Sequence, residues 1–199
     1  LRTGLGVTTV DPGDKVILHW RPGTGIESAF PRWYYQESFF SSGLVTTFLE
    51  ETVISENRCT RVPEHAPNDL CVLLGCGLST ALGVIEHDAK LKFGEHVLVI
   101  GFGGVGSCLV AAAKARGAGK ISVLDQADKY VTAFELGATG YWQDWGLLPS
   151  DTPFDVIIDT TGNSDMIEVG IAHLAPSGRF VLVGQPAARN SFTVANACH

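Results

Sequence analysis

The sequence predicts an α/β protein: a doubly wound parallel sheet with its helices, preceded by a smaller β-rich segment. Three observations carry this. From about Leu91, short apolar runs alternate with helical stretches, the rhythm of a parallel sheet. The runs HVLVIG (96–101) and FDVIID (154–159) are almost continuously apolar, as in strands buried on both faces. Before Leu91 the texture differs, with turn signals at Asp11-Pro12-Gly13 and Arg21-Pro22-Gly23 flanking a β-branched run at 15–18.

The elements follow in order. DPGDKVILHW (11–20), VTTFLEETVI (45–54) and NRCTRVP (57–63) read as short β runs of a small antiparallel sheet or barrel. Residues 68–74 and 78–89 read as helices. HVLVIG is then a strand, and VGSCLVAAAKARG (105–117) a helix closed by Gly117 in the position favoured after the last turn. KISVLD (120–125) is the second strand, DKYVTAFELG (128–137) a helix closed by Gly137, and TGYW (139–142) a short third strand. FDVIID, the helix DMIEVGIAHLA (165–175) and the strand GRFVLVGQP (178–186) complete the series. The expected domains are 1–77 and 78–199.

Composition narrows the function classes. A net charge of −7 without any Lys/Arg run argues against a nucleic-acid partner. No apolar stretch approaches the roughly 20 residues that cross a bilayer, and no leader pattern opens the chain, so no membrane partner is expected. The five Cys (59, 71, 76, 108, 198) are odd in number, irregular in spacing and without a CxxC. Reduced thiols and a cytoplasmic location are therefore expected. The chain opens at Leu1 without a Met and reads as a piece of something longer.

The strongest chemical signal is Gly101-Phe102-Gly103-Gly104-Val105-Gly106, a G-x-G-x-x-G directly after a buried strand and opening a helix. The first glycine permits the tight turn, the second lets a pyrophosphate approach the backbone, and the third allows close helix–strand packing. The helix N-terminus adds unpaired N–H groups and a positive dipole end. Asp125 ends the next strand, 19 residues beyond Gly106, against an expected spacing of about 20. A carboxylate there accepts the ribose hydroxyls of NAD and repels the extra phosphate of NADP, which identifies an NAD-binding Rossmann domain. S-adenosylmethionine-dependent methyltransferases use similar parts. Here, however, the helix begins at once with small residues (Gly106, Ser107, Ala111, Ala112), which suits pyrophosphate contact.

GVTTVDPGDKVI, TTFLEETVI, GCGLSTALG, VLVIGFGGVG, ELGAT, DVIIDTTG and GRFVLVGQP occur in order from Val7 to about Asn196. Together they resemble the zinc-type alcohol dehydrogenase branch of the medium-chain dehydrogenase/reductase family. The resemblance implies that residues 1–77 are part of that family's GroES-like catalytic domain. It implies that Cys76 is one ligand of a catalytic zinc and that Thr80 acts beside it, with Thr80, Val105, Val183 and Gly184 lining the nicotinamide. It places Thr160 and Thr161 where the fourth strand's end meets the cofactor, and Lys129 near the adenosine ribose. With Gly101, Gly103, Gly104, Gly106 and Asp125, these are the expected site residues.

The implied activity is hydride transfer between NAD(H) and an alcohol, polyol, aldehyde or ketone, with zinc as Lewis acid. The rivals are a zinc-independent NAD(P)H quinone or enoyl reductase and a non-catalytic nucleotide-binding protein. Two departures stand out. The family's other catalytic zinc ligands come from sequence upstream of GVTTV, so the isolated chain is expected to lack turnover. Its four-cysteine structural zinc lobe is replaced by HWRPGTGIESAFPRWYYQESFF (19–40), which has no Cys. The aromatic residues Phe30, Trp33, Tyr34, Tyr35, Phe39 and Phe40 are expected to pack that loop. The six His show no ligand spacing. A homo-oligomer is expected, with the last strand an open sheet edge that a second chain or the tail SFTVANACH (191–199) covers.

Overall fold

The computed structural model describes residues 2–41, 43–149, 151–187 and 191–192. The chain divides into two units, 1–79 and 80–199.

In the first unit, β1 (Val16–Leu18) pairs antiparallel with β4 (Cys59–Arg61), Val16 opposite Arg61 and Leu18 opposite Cys59. These antiparallel strands are consistent with part of a GroES-like domain. Helix α1 (Asn68–Leu74) follows, and Gly75 after it is needed as glycine: a Cβ there would lie 2.5 Å from the Leu18 carbonyl oxygen.

Strands β2 (Trp33–Tyr35) and β3 (Ser38–Phe40) form a hairpin. Its two turn residues, Gln36 and Glu37, have φ of 46° and 63°, the left-handed geometry that matches strand twist in a two-residue turn. The aromatics here do not pack the loop as the sequence suggested. Trp33 stacks on Phe40 and Tyr34 tilts against Phe39 across the hairpin, but Tyr34, Tyr35, Phe39 and Phe40 stay exposed. The run at 45–54 is not a strand either. Phe48 is fully exposed and Val53 largely so, and β propensity without a neighbouring strand to pack against does not hold a strand.

The organising residue of this unit is Glu56, which the sequence reading passed over. It is buried, and its carboxylate accepts the N–H groups of Thr8 (2.6 Å), Thr9 (2.8 Å) and Ile26 (2.8 Å). The Thr8 N–H foremost, then those of Ile26 and Thr9, hold its pKa down to about 2.

The second unit is a five-stranded parallel sheet of β5 (His96–Ile100), β6 (Lys120–Leu124), β7 (Gly140–Trp142), β8 (Phe154–Asp159) and β9 (Leu174–Leu182). Their spatial order is β7-β6-β5-β8-β9. Winding proceeds outward from β5 through β6 to β7, then crosses back to β8 beside β5. The order therefore reverses between β5 and β8, the place where open α/β sheets bind ligands. Helix α2 (Gly77–Gly83) continues as a π-helical turn at Val84–Asp88 before the sheet begins.

Helix α3 (Gly104–Arg116) links β5 to β6, α4 (Tyr130–Leu136) links β6 to β7, and α5 (Ser164–Ala172) links β8 to β9. Gly117 and Gly137 close α3 and α4 at φ of 89° and 118°, as the sequence predicts. Asn163 caps α5 by accepting the N–H of Asp165. Val97, Leu98 and Val99 of β5 and Val156, Ile157 and Ile158 of β8 are fully buried. Each contributes about 1.5–3 kcal/mol by leaving water. Arg179 of β9 pairs with Glu95 at 2.5 Å and donates to the Ala89 carbonyl, tying the edge strand to the segment before β5.

Candidate nucleotide site

Within the second unit, the carboxyl ends of β5, β6 and β8 open onto a crevice of about 370 Å³. Ile100, Gly101, Leu124, Asp125, Thr161 and Trp145 are among its walls. Gly101, the first residue of the glycine loop, lines it, and the loop's four glycines divide into two kinds. Gly101 has φ of 88°, and a Cβ on it would lie 2.4 Å from Thr160 Oγ1. A Cβ on Gly106 would lie 1.9 Å from the Gly101 carbonyl oxygen. The fold itself demands glycine at both. Gly103 and Gly104 are exposed, and a Cβ on either meets nothing within 4 Å. No protein atom requires glycine there.

Gly103 is the N-cap of α3, and Ser107 N–H donates to its carbonyl. The N–H groups of Gly104, Val105 and Gly106, on the first turn, have no partner within the helix. A helix start with free donors, and a backbone clear of side chains in front of it, fits a pyrophosphate.

Asp125 stands at the carboxyl end of β6, its side chain 16% exposed. Its Oδ2 accepts the Phe102 N–H at 2.5 Å and its Oδ1 the Ala127 N–H at 2.8 Å. The carboxylate thus lies at the glycine loop, with lone pairs remaining for further donors. Lys129, the N-cap of α4, reaches the Phe102 carbonyl at 3.0 Å and lies 3.9 Å from Asp125 Oδ2.

Thr160 and Thr161 follow β8, but their hydroxyls are used inside the protein. Thr160 Oγ1 donates to the Ile100 and Gly101 carbonyls (3.0 and 3.1 Å), and Thr161 Oγ1 to Asp159 Oδ1 at 2.6 Å. Val183 and Gly184 donate their N–H groups to the Asp159 carbonyl (2.8 and 3.0 Å). The fully buried Asp159 is a second residue that sequence reasoning missed: its Oδ2 also accepts the Gly162 N–H at 2.8 Å. The signal was present, because FDVIID ends in an acid just as KISVLD does.

Cys76 is exposed between α1 and α2, in the first unit, and Thr80 falls in the second. Among the described residues no group of three or more His, Cys, Asp or Glu side chains could hold a metal ion. No disulfide forms among the described cysteines; Cys59, Cys71, Cys76 and Cys108 are free, and burial pushes the Cys59 thiol up. Cys198 and most of the tail 191–199 lie outside the described residues. No single described helix is long and apolar enough to cross a membrane.

Fold and loop together define an α/β domain of the Rossmann class. Residues 104–198 match the family model of the zinc-binding dehydrogenases, so the second unit carries that family's likeness. Three solved structures agree with it. Benzyl alcohol dehydrogenase from Acinetobacter calcoaceticus superposes with TM-score 0.66 at 24% identity, over 72% of this chain and 42% of that one. An alcohol dehydrogenase zinc-binding domain protein from Burkholderia ambifaria gives 0.66 at 27%, over 71% and 40%. Alcohol dehydrogenase TADH from Thermus sp. ATN1 gives 0.65 at 25%, over 72% and 44%. The chain thus spans about two fifths of the length of the structures it matches.

Proposed function

We propose that this chain is the NAD(H)-binding part of an oxidoreductase that moves a hydride between NAD(H) and an alcohol, polyol, aldehyde or ketone. The observation that carries the reading is the contrast within the glycine loop. Gly101 and Gly106 are required by packing, while Gly103 and Gly104 stand in open space at the start of α3, in the loop whose Gly101 lines the crevice with Asp125. The nicotinamide, when bound, supplies the hydride acceptor or donor. The chain's own residues bind and orient: the α3 N–H groups receive the pyrophosphate, Asp125 accepts the ribose hydroxyls, and the backbone after β8 and β9 borders the nicotinamide end.

Zinc stands differently. Cys76 is the one ligand that the family resemblance supports, and one thiolate does not fix a coordination geometry. The described residues do not form that site by themselves.

Cofactor choice tests the reading. Titrating tryptophan fluorescence with both cofactors, NADH is expected to bind roughly tenfold or more tightly than NADPH, the scale of charge-assisted hydrogen bonds to a carboxylate. Asp125→Ser should narrow or reverse that preference. Equal affinities in the unmodified chain would refute the assignment.

A further inference from the structure

Tyr141 lies on β7, opposite Val123 of β6, and does not line the crevice. Its hydroxyl donates to the Ala127 carbonyl at 2.5 Å, and its ring meets the Phe102 ring edge-on with centroids 6.2 Å apart. Those two contacts close a circuit. The Phe102 N–H holds one oxygen of Asp125, the Ala127 N–H holds the other, and Tyr141 holds both Phe102 and Ala127 from behind. Each link belongs to a different segment: the glycine loop, the end of β6, the β6–α4 loop and β7.

We propose that Tyr141 is a positioning residue for the nucleotide's ribose. By anchoring the Ala127 peptide and the Phe102 ring, it fixes the Asp125 carboxylate in one orientation before any ligand arrives. The physical reason is the two peptide planes that meet at the Ala127 Cα. The phenol pins the Ala127 carbonyl, in the plane shared with Asp128, while the Ala127 N–H, in the plane shared with Gln126, points at Asp125. Releasing the carbonyl frees the rotation about that Cα and lets the loop shift, so the carboxylate loses a firmly placed donor. Phenylalanine at 141 would keep the ring contact and lose the pin. Burial, foremost, and the nearby Asp125 charge push the phenol's pKa up, so it keeps the proton that it donates to the Ala127 carbonyl. Preorganisation of this kind adds affinity without touching the ligand.

The proposal rests on the nucleotide reading, and its test separates the two. Dissociation constants for NADH and NADPH, with melting temperatures, are measured on the unmodified chain, Tyr141→Phe, Phe102→Leu and the double variant. Tyr141→Phe should weaken NADH roughly three- to tenfold, the scale of one hydrogen bond. NADPH should weaken by less than about twofold, since its phosphorylated ribose draws less from Asp125. The NADH/NADPH ratio should therefore contract. Phe102→Leu severs the same circuit, so the double variant should lose no more than the larger single loss.

A ratio unchanged by Tyr141→Phe, or a parallel fall of both affinities with the melting temperature, assigns Tyr141 to packing alone and overturns the proposal. Additive losses in the double variant do the same. If Tyr141→Phe does not fold, a ratio left intact by Phe102→Leu overturns it. Binding of neither cofactor by the unmodified chain overturns both this inference and the nucleotide reading.

Discussion

Replacing Gly103 and Gly106 by alanine, one at a time, separates a glycine kept for a ligand from one kept for the fold. At Gly106 the new Cβ would lie 1.9 Å from the Gly101 carbonyl oxygen and 2.9 Å from its carbon, where ordinary contact begins at 3.4 Å. Strand β5 and helix α3 would have to move apart. Overpacking of this severity costs about 3 kcal/mol or more, and at about 2–4 °C per kcal/mol the melting temperature should fall by roughly 6–12 °C.

At Gly103, φ is −86° and ψ is −159°, which alanine adopts freely, and the Cβ meets nothing within 4 Å. A less flexible unfolded chain should then stabilise the protein by about 0.4–1 kcal/mol, a rise of roughly 1–4 °C. Yet on the proposed reading the same methyl group would enter the space that the pyrophosphate approaches, so NADH affinity should fall on the order of tenfold or more. Calorimetry and a fluorescence titration on each variant give both numbers. Full NADH affinity in Gly103→Ala would refute the idea that a ligand explains this glycine, and an unshifted melting temperature in Gly106→Ala would refute the packing account.

Acid should loosen the first unit through Glu56. Its folded pKa of about 2 lies below the unfolded value, so its contribution is fully present above about pH 4.5 and is lost as pH falls toward 2. Fluorescence of Trp20 and Trp33 should report that transition in the unmodified chain, and Glu56→Gln should flatten it within the same window. Elemental analysis after dialysis should find far less than one zinc per chain, because Cys76 has no partner set among the described residues; a full equivalent would show that other side chains complete a site. Hydrogen exchange should be faster at outward-facing amides of β9 than in β5, since among the described residues β9 pairs on one side only, unless chains associate through that edge as concentration rises.

The Rossmann half was legible because its signals are local and agree with one another. Buried strands read as apolar runs, Gly117 and Gly137 end their helices, and the glycine fingerprint follows β5 directly. The spacing from Gly106 to Asp125 was legible for the same reason. What did not read through were properties set by partners distant in sequence. Phe48 and Val53 look like strand residues but find no strand to join. Asp125 and Asp159 both end strands, and only tertiary contacts assign one to the mouth of the crevice and the other to buried backbone donors. Glu56 draws its donors from Thr8, Thr9 and Ile26, a convergence that no spacing rule describes. The partners of the Thr160 and Thr161 hydroxyls, the Ile100 and Gly101 carbonyls and the Asp159 carboxylate, were not legible either.

The buried Asp159 has a consequence for how this surface can change. Its side chain collects donors from Thr161 and Gly162, and its carbonyl collects those of Val183 and Gly184. A Cβ on Gly184 would lie 2.4 Å from the Gly162 nitrogen, and one on Gly162 would lie 2.6 Å from the Gln185 carbonyl carbon. The two loops are therefore a single part machined to one tolerance. A residue inserted into either displaces both, and a substitution in one is legible to selection only together with the other. Among the described residues the loop at 126–128 bonds instead to Asp125, Tyr141 and Gln143. New cofactor preferences should arise there first, while the stretches after β8 and β9 hold their length.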